Sequence, residues 1–185
     1  MILNNSVLAI VPAREGSRRV PLKNLTLFRG KPLIQWTIDQ AKESKYIDRI
    51  IISSDSPAIL NYAKPPIIGI TRPNYLASDY ATSEAVIAHV LYRRIALPDF
   101  FILLQPTSPL RTATDIDTCI ERAAIHSGQC ISYNEYGKRN GAIYVSNTEQ
   151  FLASLSLEDK RFGADCYQMP NDRSLDIDYP EDFLK

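Results

Sequence analysis

Short apolar, β-rich runs alternate along this chain with stretches of helical periodicity, and that alternation limits the possible fold more than any other feature. Val7-Leu8-Ala9-Ile10-Val11 contains no polar residue, the pattern of a strand covered on both faces as in a parallel sheet. From Lys31 the period lengthens, with Leu33, Ile34, Thr37, Ile38 and Ala41 on one helical face. Residues 49–52 then read as a strand, 57–63 as a short helix with proline in its first turn, and 67–70 as a third strand. A helix over 82–97 and a buried strand over 99–104 follow. Thr112 and Asp115 form a capping box before the apolar stripe Ile116, Cys119, Ile120 and Ala123. Residues 129–133 and 142–145 read as further strands, with a short helix from Asn147 and the start of another over 180–185. This order predicts an α/β fold of Rossmann-like, three-layer α/β/α architecture. Its sheet is mostly parallel, and a ligand binds at the carboxyl ends of the strands.

At 185 residues the chain is expected to be a single domain spanning 1–185. Lys plus Arg (21) cancels Asp plus Glu (21), so no global field draws the protein to nucleic acid or an acidic membrane. A polyanion must be gripped locally. Three widely spaced cysteines, without a C-x-x-C pair, argue against a disulfide framework or zinc knuckle and suit a reducing cytoplasm. No apolar run reaches the roughly 20 residues of a membrane span, and the N-terminal stretch lacks a basic leader pattern. His89 lies among apolar helix positions and His126 at a helix end, so neither signals a catalytic base.

The loop Pro12 to Asn24 is the first constellation that points to chemistry. Arg14, Arg18, Arg19, Lys23 and the Ser17 hydroxyl sit on a proline-stiffened segment after the first strand. They can surround a triphosphate with guanidinium forks and backbone N–H groups. The bland alternative is a solvated surface loop, which seldom lies between a buried strand and a helix of an α/β unit. A Walker A loop is absent. Near the C-terminus, extended backbone over Ser174 to Asp178 would put Asp176 and Asp178 on one face and Leu175 and Ile177 on the other. Paired carboxylates repel unless a cation sits between them, and Mg²⁺, a hard ion, is the natural occupant. The competing reading is an acidic start to the terminal helix, through Asp178, Glu181 and Asp182.

Arg14, Gly16, Ser17, Pro21, Lys23 and Asn24 fall on the pattern A-R-x-G-S-K-x-I-P-x-K-N, with Arg18 in place of the lysine. The loop resembles the opening signature of the CMP-sialic acid synthetases (acylneuraminate cytidylyltransferases). Four further segments resemble that family in the same order: Arg72-Pro73 with Leu76 to Asp79 and Ala81 to Ser83, Gln105 to Arg111, Asn140 to Tyr144, and Ser174 to Asp178. The resemblance implies a nucleotidyltransferase that moves CMP from CTP onto a 2-keto-3-deoxy sugar acid with Mg²⁺ as cofactor. It implies that Lys23 and Arg14 stabilise phosphate charge, that Arg18, Ser17 and Asn24 hold the triphosphate, and that Arg72, Ala81 and Ser83 lie near base and ribose. It places Gln105, Thr107, Asn140 and Tyr144 on the sugar side, and Asp176 and Asp178 on the metal.

The sequence departs from the family between Tyr133 and Asn140, where only Asn134 to Arg139 intervene. In the family this interval is a few tens of residues longer, forming a dimerisation arm and binding the sugar carboxylate. Three expectations follow. The protein is a monomer or a dimer through another surface; the CTP half is complete; the acceptor half is thinned. The alternatives are a CTP-binding protein without transfer and an enzyme for an eight-carbon, 3-deoxy-octulosonate-type acid.

Overall fold

The computed structural model describes residues 4–93, 96–157 and 163–185. Val7–Pro12 (β1) lies in a seven-stranded sheet, with Arg49–Ser54 (β4) and Phe100–Leu104 (β6) parallel on either side of it. Ile68–Thr71 (β5) adds a parallel edge beyond β4. Arg139–Asn147 (β8) is antiparallel to β6 and to Gln129–Tyr133 (β7), and Asp165–Gln168 (β9) pairs parallel with β7 at the far edge. The small ribbon Leu27–Phe28 (β2) with Lys31–Pro32 (β3) stands apart.

Strand period two sorts the core into two layers. Ala9 and Val11 of β1, Ile52 of β4 and Ile102 of β6 face one cluster. There they meet Leu33–Glu43 (α1) through Ile34 and Ile38, Pro57–Leu60 (α2) through Ile59, and Ala113–Ile125 (α4) through Ile116 and Ile120. Leu8, Ile10, Ile51 and Phe101 point the other way, onto Ser83–Leu91 (α3) and Thr148–Ser154 (α5). The expected three layers are therefore present. Phe101 and Phe151 meet edge-on at 5.0 Å, joining β6 to α5.

Local sequence set most of the boundaries. The Thr112/Asp115 capping box forms as the spacing requires, Thr82 caps α3 by accepting from Ala85 N, and Asn147 caps α5 by accepting from Gln150 N. Four differences from the sequence reading have physical causes. The α3 helix ends at Leu91, and residues 94–95 of the expected longer helix lie outside the described residues. The strand expected at 142–145 extends to Arg139 and Asn147 because both β6 and β7 pair with it. Strand β9 has the polar sequence Asp-Cys-Tyr-Gln, which carries no core signal. Finally, Ser174 to Asp178 is extended without belonging to the sheet, because its backbone bonds go to Thr107 O and Asp182 Oδ2. Among the described residues, no helix is long and apolar enough to cross a membrane.

Arg111 is the largest fully buried side chain, 1% exposed, and it joins three elements. Its Nη1 donates to the carbonyls of Gln105 and Ala142, both at 2.8 Å, and its Nη2 donates to Thr37 Oγ1 at 2.5 Å. The end of β6, strand β8 and helix α1 are thereby tied together. Burial pulls its pKa down to about 9, against the opposing charge of Asp115. Arg111→Leu removes the donors and leaves these acceptors buried, so urea denaturation is expected to show a loss of about 2–4 kcal/mol.

Candidate active site

The carboxyl ends of β1, β4, β5 and β6 open onto one crevice, where the chain leaves each strand for a loop. A cavity of about 320 Å³ there is lined by Arg14, Ser17, Lys23 and Asn24 from the first loop, and by Arg72, Asp79, Ala81 and Ser83 from the segments after β5. Gln105 and Thr107 line it from the end of β6. A second recess of about 180 Å³ shares Arg14, Ser17 and Lys23 and adds Arg18, Arg19 and Asp178. Of the candidate site residues, Arg14, Ser17, Arg18, Lys23, Asn24, Arg72, Ala81, Ser83, Gln105, Thr107 and Asp178 line these two recesses, and Asp176, Asn140 and Tyr144 do not.

Charge pairing shapes the loop. Arg14 Nη2 meets Asp79 Oδ1 at 2.7 Å, and Arg18 Nε meets Asp79 Oδ2 at 2.5 Å. On the other side Lys23 Nζ donates to Ile177 O at 2.8 Å and Asp178 Oδ1 at 3.1 Å, while Arg19 Nη1 donates to Asp178 Oδ2 at 2.8 Å. Arg19 also lies 4.6 Å from the centre of the Tyr179 ring. Asn24 is buried and donates to Arg14 O, fixing the backbone beneath that arginine. Leu22 takes a left-handed conformation, φ 51°, just before Lys23, a cost of about 1–2 kcal/mol that the surrounding loop must hold.

Arg72 is 5% exposed, and its Nε and Nη2 make no hydrogen bond. Burial lowers its pKa, Asp55 opposes that shift, and Arg14 adds to it. Such a guanidinium calls for an acceptor from the cavity. The Asp176 carboxyl is pushed above the usual carboxylate range, first by desolvation and then by the charge of Asp178, against a hydrogen bond from Thr107. Leu175 and Ile177 pack with Phe28 and Leu33, and Asp178 lines the smaller recess, whereas Asp176 lines neither recess.

Asn140 and Tyr144 do not line either recess. Asn140 is buried, accepting from Ser132 Oγ and Ala142 N while donating to Met169 Sδ and Ser174 Oγ, so it braces the acidic segment from behind. Tyr144 packs against the core on the α3 side. Gly141, between them in the sequence register, has φ 73° and lies so close to Gln105 that an added Cβ would come within 3.1 Å of Oε1. His89 accepts from Arg93 Nε, and burial lowers its pKa.

Sequence reasoning missed the roles of two carboxylates that help organise this site, Asp79 and Asp115. Asp79 was visible only as part of a motif, since its partners lie more than sixty residues upstream. Asp115 read as a helix cap alone, yet its fully buried carboxylate also takes Arg173 at 2.9 and 3.0 Å and Tyr167 OH at 2.7 Å, anchoring the start of the acidic segment. Asn134 to Arg139 forms a tight hairpin: Asn134 N donates to Lys138 O, Asn134 Oδ1 accepts from Tyr136 N and Lys138 N, and Gly137 supplies φ 70°.

At the end of the segment, burial works against the Asp182 carboxylate, but Lys185 and the backbone N–H groups of Asp178 and Tyr179 outweigh it and hold the pKa at about 2. An unfolded aspartate titrates near 3.9, so this group's stabilisation is complete above about pH 5 and is lost as pH falls toward 2. Urea titrations at about pH 5 and about pH 3 should show a smaller acid-induced loss for Asp182→Asn than for the natural chain.

Comparison with known proteins bears directly on this site. The sequence profile of the cytidylyltransferase family, described as "Cytidylyltransferase", matches residues 8–151. The chain is 31% identical over 215 positions to the N-acylneuraminate cytidylyltransferase of Streptococcus agalactiae serotype III (strain NEM316), covering 96% of this chain and 51% of that protein. It therefore spans about half the length of that relative. It is 29% identical over 226 positions to the CMP-N,N'-diacetyllegionaminic acid synthase of Legionella pneumophila subsp. pneumophila, covering 96% and 93% of the two chains. Both alignments are longer than the 185 residues present here, so each relative carries residues this chain lacks. The fold matches a solved CMP:2-keto-3-deoxy-manno-octonic acid synthetase complexed with CTP, with a TM-score of 0.75, 16% identity and coverage of 95% and 94%. A cationic loop and a crevice at the strand ends, together with a profile match over most of the sequence, lead to one conclusion: this chain belongs to the cytidylyltransferase family.

Proposed function

We propose that the protein transfers CMP from CTP to the anomeric hydroxyl of a 2-keto-3-deoxy sugar acid of the sialic or legionaminic kind, releasing pyrophosphate. The observation that carries this reading is the meeting of the cationic loop and the acidic segment across one crevice, 3.1 Å apart at Lys23 and Asp178. Family membership and the activities named for the relatives support it. In the reaction the hydroxyl oxygen forms a bond to the α-phosphorus in line with the breaking bond to the β-phosphate oxygen, and the hydroxyl proton is lost. Such chemistry needs positioning and charge neutralisation more than covalent help.

Lys23, nearly enclosed and held by Ile177 O, is placed to neutralise charge on the α-phosphate together with Arg14. Ser17 and Arg18 take the β- and γ-phosphates from the smaller recess. Arg72, whose Nη2 lies 4.0 Å from Asp55 Oδ1 but makes no hydrogen bond, offers its buried donors to the base, with Ala81 and Ser83 beside the ribose. Gln105 and Thr107 face the acceptor sugar, while Asn140 braces Ser174 from behind that wall.

Asp176 and Asp178 suit a hard divalent ion such as Mg²⁺: both offer oxygen donors, and the charge of Asp178 adds to desolvation in raising the Asp176 pKa. Among the described residues no group of three His, Cys, Asp or Glu side chains could hold a metal ion, so an ion on these two carboxylates would take its remaining ligands from waters and phosphate. When bound, such an ion supplies charge neutralisation at the α-phosphate. The chain's own part is to hold Asp178 between Lys23 and Arg19 and Asp176 beside Thr107.

The tight hairpin at Asn134 to Arg139 favours a second reading, in which CTP binds but no acceptor is used, and it favours a monomer or a dimer through another surface. Pyrophosphate release from CTP with Mg²⁺ and a panel of nine- and eight-carbon sugar acids separates the readings. Release with at least one acid is expected. CTP binding without release from any acid would overturn transfer. Lys23→Ala should lower turnover by about a hundredfold or more with the fold intact, the scale of losing one oxyanion donor.

A further inference from the structure

The phosphate-facing arginines are already occupied by an anion of the protein's own. Asp79 presents one carboxylate oxygen to Arg14 at 2.7 Å and the other to Arg18 at 2.5 Å. It lines the same cavity as Arg14, Ser17 and Lys23. Both guanidinium groups approach this single carboxylate in the charge-assisted manner with which they would grip the edge of a phosphate.

We infer that Asp79 is a positioning residue that stands in for polyphosphate: it holds Arg14 and Arg18 in the phosphate seat while the seat is empty and yields them to the ligand. The inference rests on the reading of this loop as the phosphate seat. Arg18 has a side chain 68% exposed, so without Asp79 its long stem would spread over many rotamers and meet the ligand unprepared. The hold is nevertheless releasable. Ion pairs with partners this exposed (Arg14 34%, Asp79 31%) are individually weak. A polyphosphate, with several charges and more acceptor oxygens, therefore wins the competition. Arg14 Nη1 also donates to Ala77 O at 3.3 Å, so that arginine keeps one tie to the backbone when Asp79 yields it. As pyrophosphate departs, Asp79 recaptures the two arginines and so competes with its return.

Two opposite outcomes distinguish this role from a merely structural tie between loops. A competing anion weakens polyphosphate binding, so its removal tightens it; a structural tie strengthens binding, so its removal loosens it. The experiment is calorimetric titration of inorganic pyrophosphate, and separately of cytidine, into the natural chain, Asp79→Asn and Asp79→Glu. Asp79→Asn should bind pyrophosphate about three- to thirtyfold more tightly, the range set by two exposed ion pairs. Its affinity for cytidine should be unchanged, and Asp79→Glu should return pyrophosphate affinity toward that of the natural chain. Thermal melting confirms that each variant is folded. Unchanged or weaker pyrophosphate binding by Asp79→Asn, or no binding by either protein, would overturn the inference. Titration with CTP tests the nucleotide reading separately: if CTP binds no better than pyrophosphate, the cytidylyltransferase reading falls while the role of Asp79 stands on the pyrophosphate result.

Discussion

Arg14, Arg18, Arg19 and Lys23 lie within ten residues of one loop, and like charges that close repel unless something between them carries the opposite sign. Two carboxylates supply it. Asp79 takes Arg14 and Arg18, and Asp178 takes Arg19 and Lys23. This compensation keeps the loop folded over the strand ends instead of extended into solvent, and the crevice depends on it. It also explains why the site is assembled from distant chain segments: a loop of cations cannot be closed by its own residues when the required acids lie sixty and more positions away.

The acids in turn need supports, and these run back into the core. Asp178 is aimed by Ile177, whose side chain is buried with Phe28 and Leu33 and whose N–H bonds Thr107 O. Farther back, Arg173 is bound by the buried carboxylate of Asp115, which also caps α4. Asn140 braces Ser174 from β8. Arg111 fixes the end of β6 by holding Gln105 O and Ala142 O together. The floor of the crevice is therefore rigid for the same reason the core is, through satisfied buried polar groups and not through apolar packing alone.

The segment between β7 and β8 is short. Asn134 and Gly137 close it as a tight hairpin, so the chain turns back directly into β8. The cationic loop and the strand ends that line the crevice follow β1, β5 and β6, and none of Asn134 to Arg139 lines it.

Much of the fold was legible in the residues themselves. Apolar runs marked β1, β4 and β6 because a strand covered on both faces has no polar position, and Thr112 with Asp115 marked the start of α4 because a cap is a local hydrogen bond. The motif order likewise named Arg14, Lys23, Arg72, Gln105 and Asp178 as residues of one site. What the chain could not disclose was anything set by long-range pairing. Strand β9, polar and at an edge, exists because β7 offers it hydrogen bonds; Ser174 to Asp178 stays out of the sheet because Thr107 and Asp182 claim its backbone; and Asn140 braces the acidic segment because β8 turns it inward. The sequence by itself determined which residues carry charge and which segments are buried, since both follow from neighbours in the chain. Only the tertiary structure decided which anion faces which cation, since that depends on distances between residues that are remote until the sheet has formed.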